Sequence, residues 1–458
     1  MEYKNLDEMF RASVNKYPKS SLTGKGKSED DEGTESRRSN FSDISKEVSR
    51  LADSLKKHGI GKGDKIALMG KPQPKWAISF FAFQRLGAIA VPIASDLTAQ
   101  EIRRILHESE AKLAVVESRY QSKIKKSYDL LPSLEEIIVY SGEAEVNCRA
   151  WESFLGDEEL LQKPDVDPDD LAAIMYTSGS TGNAKGVMLS HSNFISNVEE
   201  LYGRLELGPQ DVFASILPWY HIYGLTTSLL LAVYAGASVV YTDDYRNLTE
   251  VLREEKATIL LGVPKLYHTI YRELTHKVDS SLVGRILHQY APFLLRRKVK
   301  RKLAGSQFRF VVSGGAPLDP QVSRGLKRLG IGVMQGYGLT ETSPVLTWTP
   351  DPFSDRDSSV GQPLPSVDVK LSSTGENDIP EVLVKGPMVM KGYYKNREKT
   401  EEVIDEEGWF HTGDSGWFGE DGELYLNGRK KNVIILQSGK NVYPEEVEWE
   451  LSRLPYVE

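Results

Sequence analysis

The sequence predicts an α/β fold, with two sheet-containing subdomains over residues 1–170 and 171–345, a small β subdomain over 346–428 and a terminal segment over 429–458. Three observations predict it. Apolar runs of strand length alternate with amphipathic helical patterns through the first three quarters of the chain, as in a parallel sheet covered on both faces. After about Val345 the texture changes to short strands punctuated by Pro and Gly, as in VGQPLPSVDVKLSS and PEVLVKGPMVMKGYY. Near the end, Pro444 opens a helix whose first turn is acidic, EEVEWEL, a favourable charge at a helix N-terminus.

In chain order, the stretch from Ser28 to Asn40, SEDDEGTESRRSN, holds no large apolar residue and is expected to be a solvated loop. An amphipathic helix from about Ile44 to His58 leads to the strand KIALMG, a helix from about Trp76 to Leu86, the strand AIAVPI, a helix from Ala99 to Ser109 and the strand KLAVVE. The middle repeats the alternation, with strands around LAAIMYT, DVFASIL, ASVVY, TILLGV and RFVVSG. Residues Ile222 to Thr242 carry no charge and are long enough to raise the question of a membrane span. Gly224, Thr226, Thr227, Ser228 and then Ala235-Gly236-Ala237-Ser238 break that run into a short apolar helix, a glycine stop and a strand, the pattern of a buried α/β core.

With 40% hydrophobic and 27% charged residues in 458, the composition is that of an ordinary globular chain with room for sizeable cores. A formal net charge of -8 argues against a chain whose main business is coating nucleic acid or an anionic membrane, because long-range repulsion works against the encounter, while leaving room for local basic patches. Cys148 is the single cysteine, so no intrachain disulfide or thiolate cluster can form. The start, MEYKNLDEMFRASVNKYP, has no charged-then-apolar signal, and together these features give the expectation of a reducing, cytoplasmic setting. One local exception is the amphipathic segment Leu282 to Leu303, ending in RRKVKRKL. It is compatible with weak peripheral contact with an anionic membrane, although such runs are usually a solvated helix face.

The densest chemical signal is Tyr176-Thr-Ser-Gly-Ser-Thr-Gly-Asn-Ala-Lys-Gly186, which follows the apolar strand LAAIM. Glycines let backbone N–H groups converge on an anion, hydroxyls donate to phosphate oxygens, and Lys185 adds a compact positive charge. The spacing is not that of a Walker A loop, since Lys185 is followed by Gly186 rather than Ser or Thr. The bland alternative is a flexible Gly/Ser loop.

A second cluster is Gln335-Gly336-Tyr337-Gly338-Leu339-Thr340-Glu341-Thr342, preceded by RFVVSG and the turn Gly314-Gly315-Ala316-Pro317. An aromatic between glycines can lie flat on a purine, Thr340 can donate to a phosphate, and Glu341 can offer Mg²⁺ a hard oxygen ligand. A tight turn with a packed tyrosine would look similar. In Pro218-Trp219-Tyr220-His221-Ile222-Tyr223-Gly224, His221 taken alone is a satisfied core histidine. In Gly408-Trp-Phe-His-Thr-Gly-Asp414, followed by Gly428-Arg429-Lys430-Lys431-Asn432, Asp414 can accept from both hydroxyls of a ribose and Arg429 can reach the same sugar or a phosphate. Turn capping and a solvated basic turn are the plain readings there.

Together these segments resemble the adenylate-forming superfamily, which includes acyl-CoA synthetases, luciferases of the firefly type and peptide-synthetase adenylation domains. The resemblance covers almost the whole chain. It implies that Thr177, Ser178, Ser180, Thr181 and Lys185 surround the triphosphate of ATP, with Ser180 also able to approach Mg²⁺. It implies that Gly314, Gly315, Ala316 and Pro317 sandwich adenine with Tyr337, within the run Gln335, Gly336, Tyr337 and Gly338, while Thr340 meets the α-phosphate and Glu341 binds magnesium. His221 becomes a gate and orienter at the carboxylate, with Trp219, Tyr220 and Tyr223 as candidate walls of an acyl pocket. Asp414 binds the ribose, Arg429 assists, and Lys431 is the hinge of a small α+β C-terminal domain. The segment QSGKNVYPEEVE, with Gly439, resembles the piece that builds the thiol-substrate tunnel.

The implied reaction has two halves: a carboxylate attacks the α-phosphorus of ATP and releases pyrophosphate, and the thiol of CoA then takes the acyl group from the adenylate. The basic segment 282–303 and the phrase GYGLTETSPV look most like long-chain fatty acyl-CoA synthetases. Loading of a carrier protein, as in acyl-AMP ligases, is the alternative acceptor. The family's C-terminal domain continues for roughly a hundred residues and carries a lysine with no counterpart here. The chain is therefore expected to be truncated in that domain, binding ATP and adenylate while adenylating poorly, or acting as a non-catalytic nucleotide-binding form.

Overall fold

The computed structural model describes residues 1–25, 37–160, 164–177, 184–372 and 379–435, together with 441–442, 444, 447–448 and 451. They fall into two compact units, Met1–Leu261 with Met390–Asn396, and Gly262–Val389 with Arg397–Glu458. The architecture is α/β, as the alternation predicts.

The first unit is organised on an eight-stranded sheet in the order Gly392–Tyr393, Lys185–Ser190, Leu171–Thr177, Ile89–Ile93, Lys65–Met69, Leu113–Glu117, Glu136–Ser141 and Arg149–Ala150. Its central strands run parallel, with Lys65 opposite Ile89 and Ile66 opposite Leu113. Buried on both faces, they are continuous apolar runs rather than alternating ones. Helices form at Phe41–Lys57, Pro74–Leu86 and Ala99–Ser109. The first begins a turn earlier than its hydrophobic pattern, because the Asn40 side chain caps it by accepting from the Asp43 N–H at 2.9 Å.

Helix Pro74–Leu86 is buried almost all round, which is why its sequence lacks a polar stripe. Proline starts it and Gly87, at φ 66°, stops it; the Ala88 N–H reaches back to the Phe83 carbonyl at 2.9 Å. Phe81 on this helix stacks on Phe10 with centroids 4.2 Å apart. Beside that stack, Arg85 Nε donates to Asp7 Oδ1 at 2.8 Å, and both side chains are about 95% buried.

A second group of strands in this unit has the order Arg37–Asn40, Ser21–Lys25, Ser238–Thr242, Val212–Ser215 and Ile259–Gly262. All its pairings are parallel except the first. Here the expectation of a loop through Asn40 fails. Residues 28–36 lie outside the described residues, but Arg37–Asn40 is an edge strand, with Ser21 opposite Asn40 and Thr23 opposite Arg38. An edge strand needs backbone pairing more than apolar side chains, and Arg38 Nε adds a 3.1 Å bond to Ser21 Oγ.

The uncharged run 222–242 forms a helix of wide π turns at Gly224–Leu230, a normal helical turn at Leu231–Ala235, a left-handed stop at Gly236 and the strand Ser238–Thr242. Among the described residues, no helix is long and apolar enough to cross a membrane.

In the second unit, strand Phe310–Ser313 runs parallel to Gly332–Gly338, which pairs antiparallel with Val345–Trp348, and that in turn with Gln362–Pro363. Helices Pro264–Asp279, Leu282–Tyr290, Pro292–Leu303 and Pro320–Arg328 accompany them, three of them opening with the proline that a first helical turn favours. A four-stranded antiparallel sheet comes next, in the order Asp368–Leu371, Glu381–Lys385, Phe410–Phe418 and Leu424–Arg429. Residues 436–440, with Gly439, and most of the expected helix from Pro444 lie outside the described residues.

Candidate functional site

In the first unit, Thr177 and Lys185 are register partners across the antiparallel hairpin Leu171–Thr177 and Lys185–Ser190. The loop they close holds Ser178, Ser180 and Thr181, which lie outside the described residues. Among the described residues the loop leads into a strand, Lys185–Ser190, whereas a strand-loop-helix phosphate site leads into a helix. The positive charge at this loop rests on the Lys185 ammonium. Its Nζ stands 4.8 Å from the centroid of the buried Tyr393 ring, a cation–π contact that restrains a long side chain. Strand Gly392–Tyr393 brings that ring in, by pairing Tyr393 with Val187.

His221 sits in the turn before the π-helical segment. A Cβ on Gly224 would stand 2.3 Å from the Pro218 carbonyl oxygen, so only glycine lets this turn close. The His221 ring is open to solvent on one side, yet the protein packed around its other sides holds its pKa below the usual histidine value. Its Nδ1 accepts from the Tyr223 N–H at 3.4 Å, which favours a neutral ring with the proton on Nε2. Trp219 is fully buried, with its indole N–H donating to Ser228 Oγ at 3.1 Å. Tyr223 is buried and Tyr220 half-buried. The π turns, supported by Thr227 and Ser228 hydroxyls bonded back to the Tyr223 and Gly224 carbonyls at 2.6 Å, are a local distortion common near functional sites.

In the second unit, Ser313 and Gln335 are register partners of a parallel pair. The turn Gly314–Pro317 therefore leaves the sheet at the carboxyl end of its strand beside Gln335–Gly338, which runs on past that end paired with Val345–Trp348, and the carboxyl ends of parallel strands are where open α/β sheets bind ligands. Gly315, Ala316 and Pro317 are exposed, whereas Gly314 is buried. Gly338 is fixed by space: a Cβ there would lie 1.7 Å from the Pro344 carbonyl oxygen. Gln335 is buried, and its amide donates to the Asp357 carbonyl at 2.9 Å.

Tyr337, half-buried, donates from its hydroxyl to Asp414 Oδ2 at 2.7 Å. Asp414 and Arg429 are opposite each other in the sheet register, and Arg429 Nε meets Asp414 Oδ1 at 3.0 Å. A second guanidinium nitrogen of Arg429 donates to the Thr412 carbonyl at 3.0 Å. Burial pushes the Asp414 carboxyl above the ordinary aspartate range, Arg429 and Tyr337 pull it back, and the nearby charges of Glu341 and Glu381 push it up further. Burial and the Asp414 charge likewise raise the Tyr337 phenol well above its normal value, so it stays a donor. Thr340 and Glu341 occupy the single turn Thr340–Thr342 and are half-buried. Lys431 stands exposed in the turn after strand Leu424–Arg429.

Three supporting residues escaped the sequence reading. Asp357 is buried in a charged turn, where it accepts from Ser323, Arg324 and Lys327 at 2.8–3.1 Å and so holds the loop that orients Gln335. Nothing in PDPFSDRDSS distinguishes it from surface acid. Tyr393 and Thr412 have no local motif of their own beyond GYY and HTGD.

A model of the AMP-binding enzyme family matches residues 10–394. The chain belongs to that family. Among curated relatives of this AMP-binding protein, it is 31% identical to the peroxisomal long chain acyl-CoA synthetase 7 of Arabidopsis thaliana over 450 residues, covering 89% of this chain and 64% of that protein. It is 30% identical to a long-chain-fatty-acid–CoA ligase of Escherichia coli over 428 residues, covering 85% of this chain and 72% of that one. The chain thus spans a little under two thirds of the length of its Arabidopsis relative. Its fold matches that of ATP-bound MatB from Rhodopseudomonas palustris with a TM-score of 0.80 and 26% identity, over 99% of this chain and 84% of that one.

Proposed function

We propose that this AMP-binding chain carries the nucleotide and acyl sites of a fatty acid–CoA ligase. A carboxylate oxygen of the fatty acid attacks the α-phosphorus of ATP, the bond to pyrophosphate breaks, and an acyl-adenylate remains. The CoA thiol then adds to the adenylate carbonyl and AMP leaves with the electron pair of the acyl–oxygen bond. The observation that carries the reading is the Tyr337–Asp414–Arg429 constellation beside the Gly314–Pro317 turn. A flat aromatic and a buried carboxylate, held in one hydrogen bond, suit a purine and its ribose. Asp414 keeps lone pairs for two sugar hydroxyls after bonding Tyr337 and Arg429.

Lys185 is proposed to neutralise phosphate charge that builds as pyrophosphate leaves, His221 to orient the attacking carboxylate, and Thr340 to donate to the α-phosphate. Among the described residues no cluster of three or more His, Cys, Asp or Glu is arranged to hold a metal. A single carboxylate fits Mg²⁺ bridged to phosphates, since that ion keeps most of its shell as water and phosphate oxygens. Glu341 is the proposed ligand, with Ser180 as a second, and the ion would supply charge neutralisation on the phosphates. Lys431 is proposed as the hinge on which the segment 429–458 turns. The lone cysteine, Cys148, suits a cytoplasmic setting.

The test is AMP formation from ATP with a panel of fatty acids, with CoA or a carrier protein as acceptor, alongside calorimetric binding of acyl-sulfamoyl adenosines of increasing chain length. Tight binding that grows with chain length supports the fatty acid site. Release to a carrier protein alone would move the acceptor, and absence of both binding and AMP formation would sink the reading.

A further inference from the structure

The two short helices Leu282–Tyr290 and Pro292–Leu303 present a surface that the nucleotide chemistry does not use. Fifteen large hydrophobic side chains are exposed among the described residues, and six of them, Leu282, Val283, Ile286, Tyr290, Phe293 and Leu294, fall in this one stretch with exposures of 48–74%. That concentration is a patch, not the scatter normal for a soluble surface. Leu282, Ile286 and Tyr290 lie one turn apart and so line one face of the first helix. On the second helix, Leu295, Val299 and Leu303 are buried, also at one-turn intervals. The opposite side therefore carries Phe293, Leu294, Arg297, Lys298 and Arg301, all exposed. Gly284 lets the first helix sit close on the preceding one, since a Cβ there would stand 2.3 Å from the Val278 carbonyl oxygen.

The charge within the two helices is one-sided. From Leu282 to Leu303 there are seven Lys and Arg and no Asp or Glu, in a chain whose net charge is -8. A merely solvated helix face would mix signs and would not expose leucine, isoleucine and phenylalanine together. A second copy docking here by two-fold symmetry would set two clusters of cations against each other. Nucleic acid would match the charge but leave the aliphatic side chains against polar backbone. An anionic lipid surface satisfies both halves: headgroup phosphates meet the cations, and the apolar side chains enter the acyl boundary.

We propose that this helical pair docks the protein on the surface of an anionic bilayer, lying in the interface without crossing it. The proposal rests on the surface alone and is independent of the reaction proposed above. Tyr290 and Phe293, at the junction of the two helices, sit at the level of the headgroups.

The experiment is co-sedimentation of the full chain with vesicles of phosphatidylcholine alone or mixed with about one third phosphatidylglycerol, at low and high ionic strength. Binding is expected only to the anionic vesicles and is expected to weaken as salt rises. The triple variant Arg297→Glu, Lys298→Glu, Arg301→Glu should lose on the order of 100-fold in affinity. The double variant Phe293→Ser, Leu294→Ser should lose binding while its melting temperature and its affinity for AMP stay those of the parent, which separates loss of docking from loss of fold. Equal partition to both vesicle types, or retention by both variants, overturns the proposal. So does a concentration-dependent dimer that Phe293→Ser abolishes, since the patch would then be an interface between copies.

Discussion

The Tyr337 hydroxyl donates a 2.7 Å hydrogen bond to Asp414 Oδ2, joining the end of a strand in the mixed sheet to a strand of the four-stranded antiparallel sheet. The bond sets the angle of the aromatic ring against the carboxylate, and Arg429 fixes the other oxygen. Removing the hydroxyl leaves the ring but frees its position. Tyr337→Phe is therefore expected to weaken AMP binding by roughly 10-fold, the worth of one hydrogen bond to a charged group. Asp414→Ala should cost on the order of 100-fold, since it also removes the acceptor for the sugar. Titration calorimetry with AMP checks both, and an unchanged affinity in Asp414→Ala would remove this site from nucleotide binding.

Asp414 should cost the empty protein stability, because burial lifts its carboxyl above the ordinary aspartate range despite Arg429. An acid with a raised folded pKa binds its proton more tightly when folded, so stability falls as pH rises from the unfolded aspartate value through the folded one. Asp414→Asn is expected to keep or raise the melting temperature at neutral pH while losing nucleotide affinity. A clear drop in melting temperature would instead assign the carboxylate a structural role.

Gly338→Ala tests the turn beneath the same ring. The added carbon would start 1.7 Å from the Pro344 carbonyl oxygen, a backbone atom that cannot swing aside. A loss of roughly 3 kcal/mol or more is expected, at the upper end for overpacking. Denaturant titration measures it, and a loss under about 1 kcal/mol would mean that the turn relaxes freely.

In the first unit, Asp7 and Arg85 form a buried ion pair at 2.8 Å. Removing the carboxylate strands the Arg85 guanidinium in the core, whereas removing Arg85 leaves Asp7 a second partner in Arg11 Nε at 2.9 Å. Asp7→Asn alone should cost about 3–5 kcal/mol, Arg85→Met alone less, and Asp7→Leu with Arg85→Met should recover most of the larger loss. Additive losses in the double variant would show that the charges, not their desolvation, carry the stability.

Much of this fold was legible because its signals are local. The strands KIALMG, AIAVPI and KLAVVE and the helix 99–109 are apolar runs and amphipathic stripes of the right length, and the structure builds them within a residue or two. What the sequence hid depends on partners far along the chain. Arg37–Asn40 is a strand because Ser21–Lys25 offers it an edge, which no local pattern records. The same holds at the site. Thr177 and Lys185 could be read from one motif, but Tyr393, which flanks the lysine, arrives from some two hundred residues away. Asp357 looks like surface acid until three donors and Gln335 converge on it.

His191 is expected to make the fold sensitive to mild acid. It opens helix His191–Arg204 fully buried, and its Nδ1 accepts from the Leu6 N–H at 3.2 Å. Its Nε2 has no hydrogen-bond partner among the described residues. Burial therefore pushes its pKa down from 6.5 to about 4, against the weaker upward pull of Asp170 and Asp7. The unfolded chain takes up a proton near pH 6.5 that the folded chain refuses until about 4, so stability is full above the first value and drains away as pH falls to the second. The loss over that window should be roughly 3 kcal/mol. In His191→Asn the side-chain oxygen can still accept from Leu6, but nothing titrates. Urea midpoints between neutral and mildly acidic pH should therefore fall less in His191→Asn than in the parent, and matching slopes would mean that other groups set the acid sensitivity.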